Sequence, residues 1–267
     1  MDKLKQIITD KRVASRTTVT ATKEPSPTSH DLVNRFIAGD MVLTKEERKR
    51  LWKPETMAAK RVIYQGMDNL EVLNAYRELR TKLLRKSGGS SSITLVTSAG
   101  SKSSHNSEVA FNLATAFAMD TSKSSIYVDC DPYIEDRQDL AIREFNFGLT
   151  DHLRDSNISL ADATYPSGVE HLKIIPTGCH TDTAAEFFNH PRLGGIFNEI
   201  KYSLPHVFIF IHTPPVLHYS EASILADIAD MAVLVVPSKE TTPNQINESI
   251  ELLGQNKVAG VVFSETD

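Results

Sequence analysis

Residues 96–114 read VTSAGSKSSHNSEVAFNLA. The run begins as the end of a short apolar strand, passes through a small polar loop, and from Glu108 onward takes a helical period. A strand, a small-residue loop and a helix N-terminus make the layout of a phosphate-binding loop. There, backbone amides and the helix end hold phosphates, a lysine reaches the β- and γ-phosphates, and a Ser or Thr hydroxyl ligates magnesium. The G-x-x-x-x-G-K-[ST] pattern itself is missing. Gly100 is the loop's one glycine, and Lys102 follows it too closely for a loop of ordinary length to wrap a phosphate.

Outward from this stretch, short β-branched runs alternate with amphipathic ones. The expected strands are 93–97, 125–129, 172–176, 207–211, 232–236 and 258–263, and helices are expected over 108–119, 184–202 and 243–256. Each strand run is almost continuously apolar, as strands buried on both faces are. Strand alternating with helix predicts an α/β fold with a mainly parallel sheet flanked by helices and joined by right-handed crossovers. Ligands of such sheets bind at the carboxyl ends of the strands.

Two further strand ends therefore carry interest. Tyr127-Val128-Asp129-Cys130-Asp131-Pro132 places two carboxyl groups two residues apart, suited either to magnesium and an attacking hydroxyl or to plain turn and cap roles. Phe210-Ile211-His212-Thr213-Pro214-Pro215 runs from an apolar strand into a rigid Pro-Pro corner, with His212 as a ligand, a base or simply a hydrogen-bonded residue.

The charge is unevenly spread. Before Ser87 there are 19 basic and 11 acidic side chains, and from Ser87 onward 10 and 23, so a head of +8 precedes a body of −13 inside a net charge of −5. Residues 13–30 are rich in Thr, Ser and Pro and read as disordered. A short helix is expected in 32–37. A charged one follows Thr44, with Glu47 three residues on as in a capping box and Pro54 as its stop. Trp52, the only tryptophan, is read as packing locally or anchoring a partner. Residues 68–86 form the strongest helix, with Leu70, Leu73, Tyr76, Leu79 and Leu83 on one stripe, Arg77, Arg80, Lys82 and Arg85 mostly off it, and Gly88-Gly89 ending it. The expected organisation is a basic extension over 1–67, partly disordered with short helices, and an α/β domain over 68–267.

No apolar run approaches the ~20 residues of a membrane-spanning helix, and the first residues show no export signal, which points to the cytoplasm. Cys130 and Cys179 are too few for a disulfide framework or a zinc site and are expected to be reduced and structural. The acidic body disfavours nucleic acid as a partner.

From about residue 72 onward the chain resembles the cytoplasmic bacterial tyrosine kinases (BY-kinases) of capsule and exopolysaccharide synthesis, relatives of the cell-division and plasmid-partition P-loop ATPases. The text that carries the likeness is NAYRELRTKLL at 74–84, VTS at 96–98, NLA at 112–114, VDCD at 128–131, GLTDHL at 148–153, IPTG at 175–178, AAEFFNHPRL at 184–193 and HTPPV at 212–216. The resemblance implies a P-loop-type sheet, a self-association role for the 68–86 helix through Arg77 and Arg80, and binding of ATP and magnesium in intact members. It also implies two kinds of partner: the cytoplasmic part of an inner-membrane polysaccharide co-polymerase, and further copies of the chain or of a related kinase. Through such a partner the protein would sit peripherally at the inner membrane.

The departures fall on the catalytic positions. Counting back from NLA, the family's Gly-Lys-Ser/Thr falls on His105, Asn106 and Ser107, so Asn106 stands where the resemblance implies the phosphate-binding lysine. Lys102 is the rival for that role. His212 replaces the third motif's aspartate, while Asp129 and Asp131 remain as vestigial catalytic or metal residues with Ser107. The C-terminal VVFSETD has no tyrosine cluster. The expected function is a catalytically degenerate, kinase-like accessory or regulatory protein of polysaccharide synthesis and export that acts by binding, with no working cofactor. The alternatives are an active autokinase or ATPase using ATP and magnesium through an atypical loop, and a positioning factor of the cell-division ATPase type.

Overall fold

A computed structural model describes residues 43–100, 104–135, 137–178, 184–238 and 240–264. The expected disorder over 13–30, the helix over 32–37, Lys102 and Cys179 lie outside those residues, as does most of the 1–67 extension.

The described chain begins with two short helices, α1 (Lys45–Lys49) and α2 (Pro54–Ala59). The capping box forms: Glu47 N–H donates to Thr44 Oγ1, and Thr44 N–H donates back to the Glu47 carboxylate. Pro54 does not stop the first helix, which has already ended at Arg50. It opens the second, at the first-turn position where a missing N–H costs nothing. Helix α3 (Leu70–Lys86) starts at Asn69, whose side chain accepts from Val72 N–H. It ends where Gly88 and Gly89 take φ of 62° and 77°, a region glycine enters without strain. Leu73, Leu79 and Leu83 are buried as the stripe predicts, whereas Leu70, in the first turn, is exposed.

The body follows as β1 (Ser92–Ser98), α4 (Ser104–Ala118), β2 (Ser124–Asp129), α5 (Leu149–Arg154), β3 (Tyr165–Pro166), β4 (Leu172–Ile175), α6 (Ala184–Phe188), α7 (Pro191–Ser203), β5 (Val207–His212), α8 (Ser220–Ile228), β6 (Met231–Pro237), α9 (Pro243–Leu253) and β7 (Val258–Ser264). The helix expected over 184–202 is broken by Pro191, which starts α7. The sheet order is β3-β4-β2-β5-β1-β6-β7, parallel throughout except for the two-residue β3, which runs antiparallel to β4. Strand β1, the one feeding the 96–114 loop, lies between β5 and β6. The fold class is thus the expected one: a mainly parallel, P-loop-type sheet flanked by helices.

Strand parity divides the core in two. Ile93, Leu95, Ile126, Val128, Ile209, Ile211 and Leu234 face the layer containing α5 to α9, where Phe188, Phe197, Leu225 and Leu253 meet them. Val96, Tyr127, Phe208, Phe210, Val233 and Val235 face α3 and α4, which supply Leu79, Leu83, Phe111, Leu113 and Phe117. The outer strand β7 differs from the expected fully buried run: it forms one edge of the sheet, and Phe263 is 67% exposed. Among the described residues no helix is long and apolar enough to cross a membrane.

Candidate functional site

Residue register alone assembles the centre of the site. In the β2–β5 ladder Tyr127 lies opposite Phe210 and Asp129 opposite His212. Because side chains alternate, Tyr127 and Asp129 share the α4 face with Phe210 and His212. All four are buried, Asp129 at 2% and His212 at 0% exposure.

His212 Nδ1 lies 2.9 Å from Asp129 Oδ1. An ionised carboxylate can only accept, so a bond to it takes its proton from Nδ1. Asp129 Oδ1 also accepts the N–H of Asp131 at 3.1 Å, and the Tyr127 hydroxyl donates to Asp129 Oδ2 at 3.4 Å. That hydroxyl lies 3.2 Å from Ser107 Oγ in the first turns of α4. The Tyr127 ring stacks on the imidazole of His212, with centroids 6.2 Å apart and planes at 13°. Asp129 is therefore enclosed by an imidazole, a phenol and a backbone amide, all belonging to the protein.

Asn106 turns the same way. Its Nδ2 donates to the carbonyl of Thr213 at 2.7 Å, tying the start of α4 to the corner after β5. Three buried polar atoms around this junction have no hydrogen-bond partner among the described residues: Asn106 Oδ1, His212 Nε2 and Thr213 Oγ1. Thr213 N–H in turn donates to Val96, and Thr97 Oγ1 to Pro214, so the Pro-Pro corner is pinned to β1.

Burial, with Asp129 beside it, pushes the Tyr127 phenol well up, so this hydroxyl stays protonated and donates. The Cys130 thiol is raised by burial and by the two neighbouring aspartates, which makes it an inert, free, buried cysteine. Arg137 borders the network. It grips Asp139 through Nε and Nη2 at 2.9 and 3.2 Å and approaches Ser107 Oγ with Nη1 at 3.5 Å. On the other side Tyr133 donates to the buried Glu221 at 2.7 Å and its ring meets that of Tyr219 at a tilt, centroids 4.4 Å apart, joining the loop after β2 to the start of α8.

Among the described residues, the donor set around Asp129 does not suit a magnesium ion. Magnesium takes oxygen ligands in near-octahedral array, and here both oxygens of Asp129 and the hydroxyl of Ser107 are engaged internally, with an imidazole where another carboxylate would help. Asn106 offers no charge to a phosphate, and its amide N–H is committed to Thr213. Among the described residues no group of three or more His, Cys, Asp or Glu side chains is placed to hold a metal ion.

The structure thus brings together Ser107, Asp129 and His212, with Asn106 and Asp131 adjacent. Asp131 is buried, and its Oδ1 accepts from Tyr133 N–H at 3.0 Å. Arg77 and Arg80 lie elsewhere, on α3, and differ from each other. Arg77 is exposed, but Arg80 is half-buried with Nη1 on the carbonyl of Ala116 at 2.8 Å, so it caps the C-terminal turn of α4 rather than facing outward. The residues that sequence reasoning passed over are Tyr127, Arg137 and Thr213. Only Tyr127 carried a signal: a hydroxyl inside an apolar strand, two residues before Asp129 and so on the same face.

No family model matches the chain. It is 25% identical over 193 residues to the Bacillus subtilis tyrosine-protein kinase YwqD, a match covering 71% of this chain and 79% of that protein. Its fold superimposes on the kinase domain of the Escherichia coli tyrosine kinase ETK with a TM-score of 0.67 and 20% identity, covering 79% of this chain and 86% of that one. The Pyrococcus furiosus cell division ATPase MinD follows with a TM-score of 0.51 and 20% identity, covering 64% and 70%. The homologues of this chain are bacterial tyrosine kinases, and its architecture is the one they share with MinD-type ATPases.

Proposed function

We propose that this chain is a catalytically degenerate member of the tyrosine-kinase lineage that serves capsule or exopolysaccharide synthesis and export by binding other proteins. One observation carries the reading: the Asp129 carboxyl group is occupied by His212, Tyr127 and the Asp131 amide. Phosphoryl transfer depends on positioning and on charge stabilisation by a lysine and a carboxylate-held metal. Asn106 and His212 remove both while leaving the sheet's packing untouched, since each residue is satisfied within the fold at one end.

The pathway comes from the motif resemblance. The partners that fit it are the cytoplasmic part of an inner-membrane polysaccharide co-polymerase and further copies of this chain or of a related kinase, met through the exposed Arg77 on α3. The protein then works in the cytoplasm, held at the membrane by its partner. ATP titrated calorimetrically into the purified chain, with and without magnesium, should give no binding heat. Turnover of labelled ATP that is abolished by Asp129→Asn would overturn the reading in favour of an active kinase or ATPase working through Lys102.

A further inference from the structure

The segment 43–63 packs against α4 as a strap, with Trp52 on Phe111 and Asn112 bonded to Arg61 and Ile63. Neither α1 nor α2 has a buried residue. The segment is held mainly outside its helices, by the buried Leu43, Val62 and Ile63, with the half-buried Trp52 and Met57 packed on the core and Arg48 paired with Glu170 at 2.8 Å. Trp52 N–H donates to the carbonyl of Gly168 at 2.8 Å, and its indole lies so close over that glycine that a Cβ there would fall 1.9 Å from the ring. Asn112, on α4, clamps the other end: Oδ1 accepts from Ile63 N–H and Nδ2 donates to the Arg61 carbonyl, both at 2.9 Å. The clamped Arg61 has a φ of 56°, a left-handed conformation that costs a non-glycine residue and persists only while its surroundings impose it.

Two chains of contact run from this strap into the site. The apolar one passes from Trp52 to Phe111 at 6.3 Å, then edge-on to Tyr127 at 5.6 Å, whose hydroxyl holds Ser107 and Asp129. The polar one passes from Lys60, whose ammonium also lies 5.0 Å over the Trp52 ring, to Asp139 at 3.6 Å, then through the bidentate Arg137 to Ser107. Both end on Ser107.

We propose that residues 43–63 are a latch: docking of the strap and closure of the Ser107–Tyr127–Asp129–His212 network stabilise each other, and lifting the strap loosens the loop after β2. A segment whose two helices bury no side chain and whose Arg61 is held in a left-handed conformation has the makings of an element that opens before the sheet does. The inference goes beyond the proposed function and does not rest on it, and its test uses no nucleotide, so either can fail alone.

The test is Gly168→Ala, which displaces Trp52 without altering the strap or the site, with Asn112→Ala as a second, independent release. Because Trp52 is the only tryptophan, its emission reports docking directly. Hydrogen exchange at the amides of Asp131 and Tyr133, which bond within the loop after β2, reports the site. The expected result is a red-shifted emission together with roughly tenfold faster exchange at 129–133, while amides of α7 keep their rates. A red shift with unchanged exchange at 129–133 would overturn the latch, as would acceleration spread equally over α7. So would a Trp52 emission that neither variant moves.

Discussion

The two faces of one sheet have been put to different uses. The face toward α5 to α9 is filled by Ile, Leu and Val with Phe188 and Phe197. The face toward α4 is aromatic, with Phe111, Phe117, Tyr127, Phe208 and Phe210, and it also holds buried polar residues, among them Asp129 and His212 at strand ends and Asn106 and Ser107 at the start of α4. Since neighbouring residues of a strand point to opposite faces, the same strands supply both. Volume and shape alone decide what the first face tolerates. The second must also satisfy every buried donor and acceptor, so there a single change of residue type alters chemistry as well as packing.

The largest expected effect is on the apolar face. Phe197→Ala removes a fully buried ring and should cost about 3–5 kcal/mol in urea denaturation, with the Trp52 emission of the folded protein unchanged. A shifted emission would mean the two faces are not separable.

On the polar face, His212→Ala should cost about 3 kcal/mol, because it leaves the buried Asp129 carboxyl without its imidazole partner. Adding Asp129→Asn should restore part of that loss. Equal destabilisation of the single and double variants would show that the imidazole acts only as a space-filler, and the contrast between the faces would collapse.

Tyr127→Phe keeps the ring against Phe111 and removes only the hydroxyl. Its bonds are long, at 3.2 and 3.4 Å, so about 1 kcal/mol is expected in the same denaturation series. A loss as large as that of His212→Ala would make the phenol, not the imidazole, the keystone of the network.

The smallest effect concerns pH. His152, beside the apolar layer, is buried with Nδ1 on the carbonyl of Ile158 at 2.6 Å, and burial lowers its pKa. The neutral ring belongs to the folded state, so its contribution is fully present above the unfolded value of about 6.5 and is lost as pH falls through the folded value. Thermal melts from pH 7.5 to 5 should therefore show a smaller decline in Tm for His152→Gln than for the wild type. Identical slopes would remove His152 from the account.

Much of the architecture could be read in advance. Six of the seven strands announced themselves as apolar runs. The two-residue β3 did not, because Tyr165-Pro166 has no periodicity to detect. Pro54 and Pro191 were legible as breaks in helical patterns, but proline ends one helix and begins the next with equal ease, and only the caps decide which. Arg80 lies off the apolar stripe yet turns inward, because helical spacing gives a residue's angle and not the reach of its side chain to the Ala116 carbonyl. At the site, Asn106 and His212 were visible as residue types. What each does with its hydrogen bonds was not, since Thr213 and Asp129 are distant in sequence and meet through strand register.

The sequence by itself therefore determined the fold class, because the periodicity that marks strands and helices is a local property. The tertiary structure decided the rest: that Asp129 is enclosed rather than open, that Arg80 turns inward, and that Trp52 docks where Gly168 leaves room for it. Those outcomes depend on contacts between segments tens of residues apart, and the geometry that brings such segments together is set by the packing of the whole sheet.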